Sequence, residues 1–212
     1  MSAIDAEGTR TTMRKVESIE KPDFGTYHHA TPAESERLRE RTRVQFTEAF
    51  ASLPFSRDDP LRILDIGCGL GFLSCVSAGY YPKATVTGFD TFEDSSLSGS
   101  SLAKAKVNAE IMGLSRRVKF KQGDILSSDY RGMRFDLLVS NLVYHNLGKK
   151  RYEAYRRLAR WSAPSAYAVI GDIFFDYRAD SKRLAGLFGT VEARPRSKTD
   201  GEYRILVLYS PK

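Results

Sequence analysis

The chain has 212 residues, 42% of them hydrophobic and 28% charged, and a formal net charge of +7. This length suits one domain with a short extension, allows a sizeable core, and excludes two full catalytic domains, while the apolar fraction excludes wholesale disorder. No apolar run approaches the roughly 20 residues that span a bilayer, residues 1–25 lack the apolar stretch of a secretory signal, and Cys68 and Cys75 form neither a disulfide framework nor a zinc-ligand set, so a cytoplasmic protein without a membrane partner or a metal is expected.

Residues 1–25 are polar and mixed in charge and are read as a mobile N-terminal arm. Thr31-Pro32 suits an N-cap and first helical position, and apolar residues at helical spacing (Leu38, Val44, Phe46, Phe50, Leu53) follow until Pro54. Residues 26–60 thus form a helical cap or lid segment. From residue 61 to 212 short apolar strands alternate with helical stretches. The strand segments are LRILDIG, ATVTGFD, RVKFKQGD, FDLLVSN, AYAVIGDIFF, TVEARP and YRILVLY. Helices are expected at GFLSCVSAGYY, over 95–113, over the basic segment KKRYEAYRRLARW closed by Pro164, and around 180–188. This alternation predicts an α/β fold, a doubly wound, mostly parallel seven-stranded sheet with an antiparallel C-terminal hairpin and an N-terminal helical extension.

Asp65-Ile66-Gly67-Cys68-Gly69-Leu70-Gly71 directly follows one strand and opens a helix. Its glycines permit a tight turn and close approach of a ligand to the backbone, and the helix N-terminus offers free N–H groups. By itself this is also an ordinary strand-to-helix turn. The spacing departs from the Gly-x-Gly-x-x-Gly of dinucleotide oxidoreductases, whose third glycine falls on Phe72 here. Asp90, at the end of the next strand, is placed to accept hydrogen bonds from both hydroxyls of a ribose. Asp65 adds a carboxylate that repels a pyrophosphate and suits a cation, so the pattern points to a ribonucleoside carrying positive charge.

LDIGCGLG, the acid of VTGFD, the later GDI and FDLLVSNLVYHNL together resemble the class I S-adenosylmethionine-dependent methyltransferases, over roughly residues 60–175. Within that class, the run from Asp90 to Gly113 and SNLVYHNLGKKRYEAYRRLARW is similar to small stand-alone methyltransferase-domain proteins. The resemblance implies a Rossmann-like transferase with S-adenosyl-L-methionine as methyl donor and S-adenosyl-L-homocysteine as product. It also implies that the Gly67-Cys68-Gly69-Gly71 loop wraps the methionine part, with Asp65 near its amino group, and that Asp90 holds the ribose. Asp124 and the Ile125 backbone then meet the adenine amino group, and Phe89 or Phe92 borders the adenine. One departure is Pro164-Ser165-Ala166, where many relatives have Pro-Gly-Gly.

Transfer from a sulfonium needs an aligned nucleophile, and a base only where the acceptor must lose a proton. Ligands of parallel sheets bind beyond the carboxyl ends of the strands, which directs attention to Asn141, Tyr144 and His145 after the fourth strand and Asp172 and Phe175 after the fifth. His145 is the candidate base, against the simpler role of a histidine that braces its loop; Asn141 and Tyr144 are expected to line the transfer site, with Asn141 also near the cofactor. His28-His29 lies where a segment can fold over the site as a lid. The acceptor is expected to be a small molecule. RNA or protein, guided by the basic helix 149–161 and its Lys149–Arg156–Arg160 row, is the alternative, and a non-catalytic nucleoside-binding protein is a third reading. The sequence leaves the oligomeric state open.

Overall fold

The computed structural model describes residues 20–93, 96–128, 132–195 and 201–212. Helix α1 (Pro32–Ala51) precedes an alternating series: β1 (Arg62–Ile66), α2 (Phe72–Tyr80), β2 (Thr85–Asp90), α3 (Leu102–Ile111), β3 (Val118–Gln122), β4 (Phe135–Asn141), a 3₁₀ segment (Tyr144–Lys150), α4 (Arg151–Trp161), β5 (Ser162–Ile173), α5 (Tyr177–Ala185), β6 (Phe188–Ala193) and β7 (Tyr203–Pro211). The seven strands lie in the order β3-β2-β1-β4-β5-β7-β6. β1 to β5 are mutually parallel, and β7 inserts antiparallel between β5 and β6. This is the expected doubly wound α/β sheet with its antiparallel C-terminal hairpin.

Strand periodicity sends alternate residues to opposite faces. Leu64, Ile66 and Leu138 pack with Tyr155, Leu158 and Trp161 of α4. Ile63, Leu137 and Val139 pack on the other face with Phe46 and Phe50 of α1 and Leu73 of α2. Asp65 shares the second face, so a carboxylate is carried into an apolar layer beneath α2, where it is 1% exposed. Because the strand order reverses between β1 and β4, the chain diverges there and leaves a crevice at the strand ends.

Several boundaries differ from expectation, each for a local reason. The helix expected over 95–113 starts at Leu102, where Ser101 caps it by accepting the Lys104 N–H; Leu97 is drawn instead into a bridge with Tyr27. The basic helix starts at Arg151, and Gly148, at φ 51°, kinks the preceding 3₁₀ segment just before Lys149. It ends at Trp161, and Pro164 lies within β5. The next helix runs Tyr177–Ala185, not around 180–188, with the Asp176 side chain as its cap. α1 begins as read, and Thr31 and Glu34 cap each other's backbone N–H groups.

Of the expected mobile arm, residues 1–19 lie outside the described residues. Residues 20–25 are tied down: Asp23 pairs with Lys104 at 2.6 Å and donates its N–H to Asn108 Oδ1 at 2.9 Å. Phe24 meets the edge of Phe72, and the largely buried Arg39 of α1 donates to the Phe24 and Gly25 carbonyls. Three elements distant in sequence hold this stretch, which local composition does not reveal.

Candidate active site

The loops after β1 to β4 and the end of β5 surround a cavity of about 590 Å³, roofed by Tyr27, His28, His29 and Ala30. The glycine loop forms one wall. Gly67, at φ 69°, donates its N–H to the Phe89 carbonyl at 2.7 Å, and a Cβ there would strike Val143. A Cβ on Gly69, at φ 50°, would come within 2.8 Å of Leu97. Both conformations are costly for residues with side chains, so the loop fits only as glycine.

Asp90 faces the cavity and organises this wall. Its Oδ2 accepts the Gly69 N–H at 2.8 Å and its Oδ1 the Phe92 N–H at 2.7 Å. Each carboxylate oxygen retains acceptor capacity for a ligand hydroxyl. Phe89 and Ile125 supply apolar surface to the same cavity. Asp124 lines it too, while its Oδ1 accepts the Leu126 N–H at 2.8 Å and shapes its own turn.

Asp65 stands behind the loop. Ser74 donates to its Oδ2 at 2.6 Å, and its buried Oδ1 has no partner among the described residues. Burial, together with the nearby Asp90 charge, pushes the Asp65 carboxyl up to about 7. A carboxyl raised above its unfolded value binds its proton more tightly in the folded state, so its stabilisation is full at low pH and is lost as pH rises from about 4 to about 7. Asp65→Asn is expected to remove this part of the stability–pH slope, on the order of 3–4 kcal/mol at most, and thermal melts at pH 5 and pH 8 measure it. A slope unchanged in the variant would show that Asp65 does not titrate in this window.

Opposite the glycine loop, the end of β4 turns sharply. Leu142 sits at φ 58°, its N–H bound to the Gly171 carbonyl at 2.8 Å, a strained conformation for a branched residue that places Asn141 and Val143 on the cavity wall. His145 lines the same wall. Its Nδ1 lies 2.6 Å from Asp172 Oδ1, and Asp172, 1% exposed, also accepts the Tyr144 N–H on Oδ2 and the Ile173 N–H on Oδ1, each at 2.7 Å. A carboxylate on Nδ1 favours the tautomer with its proton there, leaving the Nε2 lone pair for a ligand.

Not every expected site residue reaches the cavity. Tyr144 is a core residue: its ring, 1% exposed, packs against Tyr155 at 4.9 Å. Only its backbone serves the site, by binding Asp172. The turn at Leu142 and Val143 rotates that ring inward, a placement that strand spacing does not foresee. Cys68 and Gly71 also lie off the cavity; the Cys68 side chain is buried, and Gly71 backs against Phe120. Phe92, at φ 60°, serves through its N–H. Tyr203 of β7, Thr42 of α1 and Ser74 of α2 escaped the sequence reading, because their proximity arises only from the packing of α1 and the hairpin on the sheet.

The basic segment is only partly paired. Glu153 pairs with Arg156 and, at 3.6 Å, with Arg157; Arg151 pairs with Asp180 at 2.7 Å. Lys149 precedes the helix and so does not extend the expected row. Among the described residues lining the cavity there is no lysine or arginine, and its acids are Asp90 and Asp124. Carboxylates, an apolar adenine-sized wall and a glycine cradle fit a nucleoside sulfonium.

A methyltransferase-domain family profile matches residues 57–200. The chain belongs to the class I S-adenosylmethionine-dependent methyltransferases. Among relatives of this methyltransferase chain, malonyl-[acyl-carrier protein] O-methyltransferase of Halalkalibacterium halodurans is 29% identical over 146 residues, 66% of this chain and 50% of the relative. The tRNA1(Val) (adenine(37)-N6)-methyltransferase of Porphyromonas gingivalis is 30% identical over 105 residues, covering 48% of this chain and 39% of its own. The chain therefore spans half or less of the length of these relatives. An O-methyltransferase family protein from Burkholderia thailandensis superposes with a TM-score of 0.61 at 16% identity, over 85% of this chain and 61% of that one, a likeness of fold. Among the described residues no helix is long and apolar enough to cross a membrane.

Proposed function

We propose that this chain transfers the methyl group of S-adenosylmethionine to a small molecule that gives up a proton to His145, releasing S-adenosylhomocysteine. The observation that carries this reading is the His145–Asp172 pair on the wall of the same cavity that Asp90 and the glycine loop line. When bound, the cofactor supplies a methyl group on a sulfonium, already activated toward a nucleophile. Gly67 and Gly69 give its methionine part room, Asp65 offers an unpartnered oxygen behind them, Asp90 accepts from the ribose hydroxyls, and Phe89, Asp124 and Ile125 border the adenine. His145 Nε2 takes the acceptor proton, and Asp172 holds the imidazole in orientation and supports the charge it gains. Residues 26–60 act as a cap over the 61–212 domain: Tyr27, His28 and His29 roof the cavity, the two histidine rings 3.8 Å apart, and exclude water.

A cavity without lining cations, beside a basic helix whose arginines are largely paired, favours a small molecule over a polyanion. The experiment is transfer of labelled methyl groups from S-adenosylmethionine into fractionated cell extract. Label is expected in the small-molecule fraction; label confined to RNA or protein overturns the acceptor class. Calorimetry with both cofactor forms tests the shared premise, and no binding of either refutes it.

A further inference from the structure

Asn141 closes β4 at the switch point, and its Oδ1 accepts a hydrogen bond from the Tyr203 hydroxyl at 2.7 Å. That contact crosses Gly171 of the intervening strand: a Cβ there would strike the Tyr203 hydroxyl and lie 2.8 Å from Asn141 Oδ1, so glycine leaves room for the bond. Tyr203 is partly buried, and burial pushes its hydroxyl pKa up, so the phenol keeps its proton. A phenol has one proton, and here it goes to Asn141 Oδ1, which turns the amide carbonyl toward Tyr203. The amide nitrogen has no protein partner among the described residues, and Asn141 lines the cavity on the same wall as His145. Its two N–H groups are therefore presented to the acceptor.

We propose that Asn141 donates to the reacting atom of the acceptor and that Tyr203 positions it, which makes the site selective for oxygen over amine nucleophiles. The inference rests on the methyltransferase reading and narrows its substrate class. A hydroxyl oxygen has two lone pairs, one to attack the methyl carbon and one to accept from Asn141. An amine has a single lone pair, and once that is committed to attack it meets the Asn141 N–H groups only with its own N–H groups. As the O–CH₃ bond forms and the S–CH₃ bond breaks, the hydroxyl proton passes to His145 Nε2 and the bonding pair stays on sulfur.

The test uses the full chain saturated with S-adenosylhomocysteine and labelled with ¹⁵N at asparagine, the Asn141 side-chain signal being assigned by its loss in Asn141→Asp. 4-Nitrophenol and 4-nitroaniline are titrated in parallel. The phenol is expected to shift the Asn141 amide and to bind about tenfold more tightly than the amine. Tyr203→Phe is expected to bring that ratio close to one while the affinity for S-adenosylhomocysteine stays within about twofold. An equal response to both probes, no response to the phenol, or an unchanged ratio in Tyr203→Phe overturns the proposal. Absence of S-adenosylhomocysteine binding instead brings down the methyltransferase reading on which it rests.

Discussion

Asp90→Ala is expected to lower the affinity for S-adenosylmethionine and its demethylated product by about 10² to 10⁴-fold. Two ribose hydroxyls donating to a carboxylate are charge-assisted bonds, each worth roughly 1.5–3 kcal/mol. The same carboxylate accepts from the Gly69 and Phe92 N–H groups, so its loss also frees the glycine loop that shapes the methionine site. Because Asp90 stands at a strand end and lines the cavity, the fold tolerates the change at a cost of about 1–2 kcal/mol. Calorimetry reads the affinity, and a thermal melt read alongside separates binding from unfolding. Asp90→Asn retains one oxygen acceptor and is expected to fall between the two. Affinity within tenfold of the parent protein in Asp90→Ala would remove Asp90 from the ribose.

His145→Ala is expected to slow methyl transfer to the acceptor found in the labelled extract by about 10² to 10⁴-fold. Cofactor affinity should hardly change, because His145 is held by Asp172 at the β4–β5 side, whereas Asp90 is tied to the glycine loop. Asp172→Asn should slow transfer as well, since it disturbs the proton on Nδ1 that leaves Nε2 as acceptor. That variant also disturbs the Tyr144 and Ile173 N–H bonds, so some loss of stability accompanies it. A loss of less than tenfold in His145→Ala would return His145 to a role in bracing its loop.

Much of this architecture is carried by local signals. Alternating strands and helices, glycines at positive φ and an acid ending the second strand each express a short-range constraint of backbone geometry or burial. They were therefore readable as a parallel sheet with a nucleoside-sulfonium site at its carboxyl edge, and the resemblance they carry named the family. Tyr144 shows where such reading stops. Spacing put it beside His145 at the end of a strand, but whether a side chain turns into the cavity or the core depends on a single left-handed residue, Leu142, which no propensity favours. The basic row had the same weakness. Its cations are adjacent in sequence, yet Lys149 lies ahead of the α-helix, and Asp180, which pairs with Arg151, comes from the following helix.

The glycine-rich turn and Asp90 by themselves point to a cofactor class, because a tight turn and a strand-end acid need only neighbours in the chain, whereas the +7 charge decides nothing about the site. The rest required distant segments to meet. Asp172 reaches His145 only because β5 lies beside β4. Tyr203 reaches Asn141 only because the hairpin lays β7 against β5 across a glycine. The roof over the cavity is held from distant segments: Arg39 and Asn108, on two different helices, fix residues 23–25, and Tyr27 bridges to Leu97. Proton transfer, acceptor choice and water exclusion all depend on contacts at hydrogen-bond range between residues far apart in the chain, and those distances are set by packing.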